Sequence, residues 1–220
     1  MVVVAAIAWT PIGSAATNPP HYPQAGVLVS TTLAPRSRPE ASSPRVAVFR
    51  QFRADFRPTT LLVLGERRTG DGRWLKVSVP GRPNGRVGWV RAAAVHTRPV
   101  RARIVVDLSA RRLRVVEGGR TRFATRVAIG KRGAETPVGR FYVTATFRPK
   151  EGYLGSHAFE TSAYSKLSDW PGGGIVGLHG TSQPQLLGRR VSHGCIRMSN
   201  AAALVLERLA PAGTPLSIVG

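Results

Sequence analysis

The sequence predicts a mainly β protein: a small β domain, then a larger one with one short helix near its C-terminus. Three observations predict this. Apolar and basic residues alternate with period two along several stretches, as half-exposed antiparallel strands require. Gly-, Asn- and Asp-containing turn signals separate those stretches. One run close to the end, Ala201 to Leu209, carries helical spacing instead.

The elements follow in chain order. Met1 to Ile12 is largely apolar and Ser14-Ala15-Ala16 is a small-residue stretch. Residues 1–16 therefore read as the remnant of a signal peptide whose basic start is missing. The run is too short to span a bilayer comfortably. Residues 17–44 hold Pro19, Pro20, Pro23, Pro35, Pro39 and Pro44 among Ser and Thr, and are expected to be a linker.

Residues 45–97 are expected to form the small domain. Leu61-Leu62-Val63-Leu64 is a short apolar strand, and Thr69-Gly70-Asp71-Gly72 is a turn signal. Trp74 to Val79 alternates roughly, Pro83-Asn84-Gly85 turns, and Arg86-Val87-Gly88-Trp89-Val90 returns. This order, ending in Gly-Trp-Val, resembles bacterial SH3-like domains, which implies a small β-barrel and a peptide or wall ligand. Trp74 and Trp89 are expected in the core rather than in a ligand groove, because aromatic burial dominates small cores.

Residues 101–220 are expected to form the second domain. Leu113 and Val115 contrast with Arg112 and Arg114, and Phe123, Thr125, Val127 and Ile129 with Arg122, Ala124 and Arg126. Glu117-Gly118-Gly119 marks the hairpin turn between them. Residues 147–174, with Gly152, Gly155, Pro171 and Gly172-Gly173-Gly174, are expected to be an irregular excursion, a lid or substrate wall. His157 within it is expected to be an ordinary loop residue. Ile175 to Leu178 reads as a short buried strand that delivers His179. Ser199-Asn200 caps the helix, with Ala202, Val205, Leu206 and Leu209 on its apolar side and Pro211 beyond its end.

Thirty-two Lys and Arg against eleven Asp and Glu give a formal charge of +21. It is dispersed, net +10 over residues 1–100 and +11 over 101–220. That argues against a discrete nucleic-acid patch, and no helix-turn-helix, zinc-finger or RNP-like run is present. Anionic wall polymers or lipid head groups are the expected anionic counterpart of an exported protein. The chain has one cysteine, so no internal disulfide can form. An unpaired cysteine in an exported chain is an anomaly that catalysis explains.

That cysteine, Cys195, lies in Ser192-His193-Gly194-Cys195-Ile196-Arg197, and His179-Gly180 precedes it by sixteen residues. A thiol is nucleophilic as the thiolate, and a nearby imidazole can take its proton. His179 could reach it from a neighbouring strand. His193 would share its face if the segment were extended. Both are candidate bases. Gly194 leaves the thiol open to a carbonyl and frees the backbone to turn the amides of His193, Gly194 and Cys195 toward an oxyanion. The Gly180 carbonyl could fix the His179 tautomer. His179, His193 and Cys195 could in principle bind zinc, but Cys-x-x-Cys and His-Glu-x-x-His spacings are absent; no metal or cofactor is expected.

An upstream His, then Ser-His-Gly-Cys and an Arg two positions on, resembles the signature of the L,D-transpeptidase (YkuD) catalytic domain. Further similarity runs through Ile104-Val105-Val106-Asp107-Leu108, Thr136-Pro137-Val138-Gly139-Arg140-Phe141 and Gly213-Thr214-Pro215-Leu216-Ser217-Ile218, about residues 101–220. The resemblance implies a YkuD-type β-sandwich and a peptidoglycan transpeptidase. It implies Cys195 as nucleophile and His179 as general acid/base oriented by Gly180. It gives His193 a place lining the site, Ser192 a loop-supporting role, and Arg197 a hold on the motif or on a substrate carboxylate. It also implies peptidoglycan stem peptides as partners, a 3→3 cross-link with release of D-Ala, an export address outside the cytoplasmic membrane, and acylation by carbapenems. An L,D-carboxypeptidase, a non-catalytic wall-binding protein and a polyanion-binding protein are the rivals. Sortases space His and Cys much farther apart, and NlpC/P60 peptidases reverse their order.

Overall fold

The computed structural model describes residues 21, 23–169 and 172–220. The expected signal remnant, residues 1–16, lies outside them.

The N-terminal part is a five-stranded antiparallel sheet in the order Val87–Arg91, Gly72–Ser78, Thr60–Thr69, Gln24–Leu28, Val95–Pro99. Its core is Leu28, Leu61, Val63, Leu75, Val77, Val79, Val90 and Val95. Gln24–Leu28 corrects the expected linker over 17–44: this strand sits inside the sheet, with Ala25 opposite Leu62 on one side and Arg98 on the other. Its proline-flanked sequence hid it. Gly26 is required there because a Cβ would lie 2.6 Å from Val95 Cγ1 and 2.9 Å from Val63 Cγ2. The small domain thus begins at Gln24 at the latest, not at 45. Trp74 is buried, with its indole donating to Asp71 Oδ1 (3.1 Å) and Arg91 over its ring at 4.3 Å. Trp89 is only half-buried, so the expected core placement holds for Trp74 and in part for Trp89.

The C-terminal part is one eight-stranded mixed sheet. Its order is Arg120–Arg126, Arg112–Glu117, Ala102–Asp107, Pro215–Val219, Gly139–Phe147, Ala158–Tyr164, Ile175–His179, Ile196–Arg197. Leu113 and Val115, near one edge, share a core with Ile196 at the other, so the sheet curls around a single interior. The expected hairpin forms with Glu117 opposite Arg120. Gly118 and Gly119 have φ of 56° and 76°, the left-handed pair that a two-residue turn requires.

Two details depart from the sequence reading. Ala158–Tyr164 is a strand inside the stretch expected to be irregular, paired with both Gly139–Phe147 and Ile175–His179. Buried hydroxyls break its apolar signal: Thr161 donates to the Val176 carbonyl (2.6 Å) and Ser162 accepts from the Tyr142 amide (3.1 Å). The helix, Asn200–Leu209, is capped by Ser199 Oγ accepting from the Ala202 amide (3.2 Å). It buries Ala202, Ala203 and Leu206 and leaves Val205 40 % exposed. Val205 lies about 100° from Leu206 around the axis, outside the stripe that meets the sheet.

Candidate active site

The site forms where Ile175–His179 meets Ile196–Arg197 in parallel, with Leu178 opposite Ile196 and His179 opposite Arg197. Continuing that register sets Cys195 beside Gly177. The Gly177 amide donates to Cys195 Sγ at 3.4 Å. A Cβ on Gly177 would lie 3.9 Å from the same sulfur, so Sγ occupies the strand face on which residue 177 points. Residues 177 and 179 share a face, and His179 therefore projects on the side that carries the thiol.

His179 Nδ1 lies 2.6 Å from the Gly180 carbonyl oxygen. A carbonyl only accepts, so Nδ1 carries the proton and Nε2 keeps its lone pair. Burial pushes the imidazole down to about 4, against the raising effect of the Gly180 carbonyl, with the Arg197 charge lowering it further. Burial also pushes the Cys195 thiol up, opposed by the Gly177 amide and Arg197. The resting pair is accordingly a neutral thiol and a neutral imidazole, rather than the thiolate–imidazolium pair that adjacency alone invites.

The turn after His179 is built around Asn200, a residue that sequence reasoning credited only to the helix start. Its Oδ1 accepts from the amides of Ser156 (3.0 Å) and Thr181 (3.2 Å). A Cβ at Gly180 or at Gly155 would collide with that oxygen. The Gly180 amide also donates to the His157 carbonyl at 3.0 Å. His157 is not a loop residue in the ordinary sense: it is 2 % exposed, its ring centroid 4.9 Å from that of Phe159 and its Nδ1 3.6 Å from Glu207.

The nucleophile loop is closed by its own hydrogen bonds. Ser192 Oγ donates to the Cys195 carbonyl (2.5 Å) and accepts from the Gly194 amide (3.2 Å). The supporting role of Ser192 and Gly194 has a geometric basis here, but the Gly194 amide is committed within the loop rather than to an oxyanion hole. Gly194 has φ +114°, and a Cβ there would lie 3.0 Å from Ser165 Cβ. Thr136 donates to the Gly194 carbonyl (2.8 Å) and accepts from the Gly130 amide (3.0 Å), fully inside the protein. The Thr-Pro pair marked this segment in the sequence but gave no sign of that bridge.

His193 and Gly194 form a bend and Cys195 follows it without strand pairing, so the extended arrangement that would place His193 and Cys195 on one face is not adopted. His193 is half-buried, its ring lowered by burial and by the charges of Lys131 and Arg197. Arg197 is fixed by backbone bonds in both directions with Ala128 (2.8 and 2.9 Å), while its Nε is buried without a partner. Among the described residues no group of three or more His, Cys, Asp or Glu is arranged to hold a metal ion.

The profile of the YkuD L,D-transpeptidase catalytic domain matches residues 101–218. The YkuD protein of Bacillus licheniformis is 34% identical over 116 residues, which cover 53% of this chain and 64% of that protein. YqjB of Bacillus subtilis is 33% identical over 122 residues, 52% of this chain and 69% of that protein. The chain thus spans just under two thirds of the first of these relatives. An L,D-transpeptidase structure from Mycobacterium tuberculosis aligns with a TM-score of 0.48 at 14% identity, over 74% of this chain and 90% of that one. The family profile takes in more than half of the residues, and it includes every part of the site described above: this chain belongs to the YkuD family of L,D-transpeptidase catalytic domains.

Proposed function

We propose that the protein is a peptidoglycan L,D-transpeptidase that forms 3→3 cross-links through a Cys195 acyl-enzyme. The observation that carries this reading is the placement of Cys195 Sγ on Gly177, on the strand face that also bears His179 with its Nδ1 proton tied to Gly180.

In the reaction, His179 Nε2 takes the thiol proton as sulfur attacks the carbonyl of the third stem residue. The tetrahedral oxyanion collapses, the carbon–nitrogen bond to the terminal D-Ala breaks, and His179 returns the proton to the departing amine. A thioester remains on Cys195. The side-chain amine of a neighbouring stem attacks it, passes a proton to His179, and the thiol is regenerated with its proton. Water as acceptor gives an L,D-carboxypeptidase by the same steps. Arg197, half-buried and fixed in the backbone beside His179, holds the motif in place or meets a substrate carboxylate. His193 lines the loop as a contact for substrate.

The remaining readings belong with this one. The five-stranded N-terminal sheet fits an SH3-like module that holds wall peptides, and the dispersed positive charge suits anionic wall polymers. An exported protein would meet both. Incubation with a disaccharide-tetrapeptide, followed by intact-protein and product mass spectrometry, tests the proposal. A thioester adduct on Cys195, loss of D-Ala and a 3→3 dimer, all absent from Cys195→Ala, are expected. Loss of D-Ala without dimer would favour the carboxypeptidase. An inert, folded wild type would defeat both.

A further inference from the structure

We propose that the small N-terminal domain is a working part of the catalytic site, with Arg82 and Asn84 as positioning residues that hold the segment packed against the nucleophile loop. This rests on the transpeptidase reading above.

The turn between Gly72–Ser78 and Val87–Arg91 reaches across to the second domain. Asn84 makes a two-point contact there: its Oδ1 accepts from the Tyr164 amide (3.0 Å) and its Nδ2 donates to the Tyr164 carbonyl (2.8 Å). The side chain acts as one more strand residue at the end of Ala158–Tyr164. Arg82 donates to the carbonyls of Ser165 and Gly173, both at 2.8 Å, and lies over the Tyr164 ring at 5.0 Å. Its planar guanidinium bridges the two limbs of the segment, which close on each other through the Ser165 amide and the Gly174 carbonyl (2.9 Å).

The segment needs an outside hold. Gly172, Gly173 and Gly174 all have positive φ, between 65° and 77°, and glycine has little conformational preference of its own. Gly174 also makes room for the grip, since a Cβ there would lie 2.6 Å from Arg82 Nη2. The other end of the chain of contacts is the nucleophile loop. Ser165 is buried, and its Cβ is the nearest atom to the missing side chain of Gly194, one residue before Cys195. The small domain is therefore connected to Cys195 through Asn84 and Arg82, then Tyr164 and Ser165, then Gly194.

The domains are also joined elsewhere. Arg98 donates to the Ala212 carbonyl (2.6 Å), Gly213 is packed on Ala25, and Arg53 pairs with Glu160. Removing Arg82 and Asn84 thus releases the segment while leaving the domains docked.

The test compares full-length wild type, Arg82→Ala/Asn84→Ala and Arg82→Lys in three measurements. In hydrogen exchange, the Tyr164 amide of the double variant should exchange at least about tenfold faster, because its acceptor is gone. Alkylation of Cys195 by iodoacetamide should stay within about twofold of wild type, since the thiol's own bonds are untouched. With the disaccharide-tetrapeptide, KM should rise about tenfold with kcat changed far less, the mark of substrate binding lost when the segment beside the nucleophile loop is released. Arg82→Lys, which keeps the charge but not the planar bridge, should fall between. Unchanged exchange, unchanged kinetics, or a parallel fall of kcat and alkylation would each overturn the inference. Wild type that leaves the tetrapeptide untouched would instead defeat the transpeptidase reading on which it rests.

Discussion

The amide of Gly177 points at the sulfur of Cys195 from 3.4 Å, along the strand whose last residue is His179. One strand thus supports the candidate nucleophile with its backbone and carries the candidate base as a side chain.

The amide of Gly177 favours the thiolate, but burial outweighs it and the thiol is held above its ordinary range. Alkylation of Cys195 in a His179→Gln background should therefore keep rising with pH beyond the point where a free peptide thiol levels off. A plateau reached near pH 7 would contradict this account.

His179 is expected to remain a competent base well into the acid range, because its folded value is about 4 against an ordinary 6.5. The acid limb of kcat/KM should fall near that lower value. Stability has the same origin. The unfolded chain binds the proton more readily, so this contribution is complete above pH 6.5 and is lost as pH falls from 6.5 toward 4. The full loss is roughly 3 kcal/mol at about 1.4 kcal/mol per pH unit. Denaturant melts at pH 7, 5 and 4 should show an acid-labile component that His179→Gln lacks.

Asn200→Ala removes the acceptor for the Ser156 and Thr181 amides and loosens the Gly180 turn. It should cost about 0.5–1.5 kcal/mol, the net worth of hydrogen bonds that water can partly replace. It should also slow the acylation step by more than the stability loss would suggest. Gly180→Ala forces a Cβ onto the same Asn200 oxygen and should be the more damaging of the two. Single-turnover thioester formation by both variants checks this; wild-type rates would remove Asn200 from the account of the site.

Thr136→Val keeps the shape but loses the hydroxyl between the Gly130 amide and the Gly194 carbonyl. A loss of about 1–3 kcal/mol follows for two buried groups left without a partner. Thr136→Ser should recover most of it in a thermal melt. Equal melting of the Val variant and wild type would show the bridge to be dispensable.

Much of this was legible beforehand, and the parts that were not share a physical cause. The hairpin over Arg112–Arg126 followed from period-two alternation because one face meets the core and the other meets water. Cys195, His179 and Gly180 stood out because their chemistry depends on residue type, which a sequence displays directly. Ala158–Tyr164 was missed because it is buried on both faces and uses Thr161 and Ser162 to satisfy backbone groups around a register shift. Gln24–Leu28 was missed because Pro19, Pro20 and Pro23 lead into it and give the stretch the look of a linker. Asn200, Thr136, Arg82 and Asn84 matter through contacts with residues far away in the chain, and no local pattern encodes those.

Ser192 Oγ binds both the Gly194 amide and the Cys195 carbonyl, so the loop shape exists before any substrate arrives. Its ordering cost is therefore met during folding. Cys195 is also the sole sulfhydryl in the chain. Any thiol reagent consequently reports on one atom whose environment vanishes if the fold opens. The candidate active site is thus its own built-in gauge of native structure, readable with no added label and without any substrate.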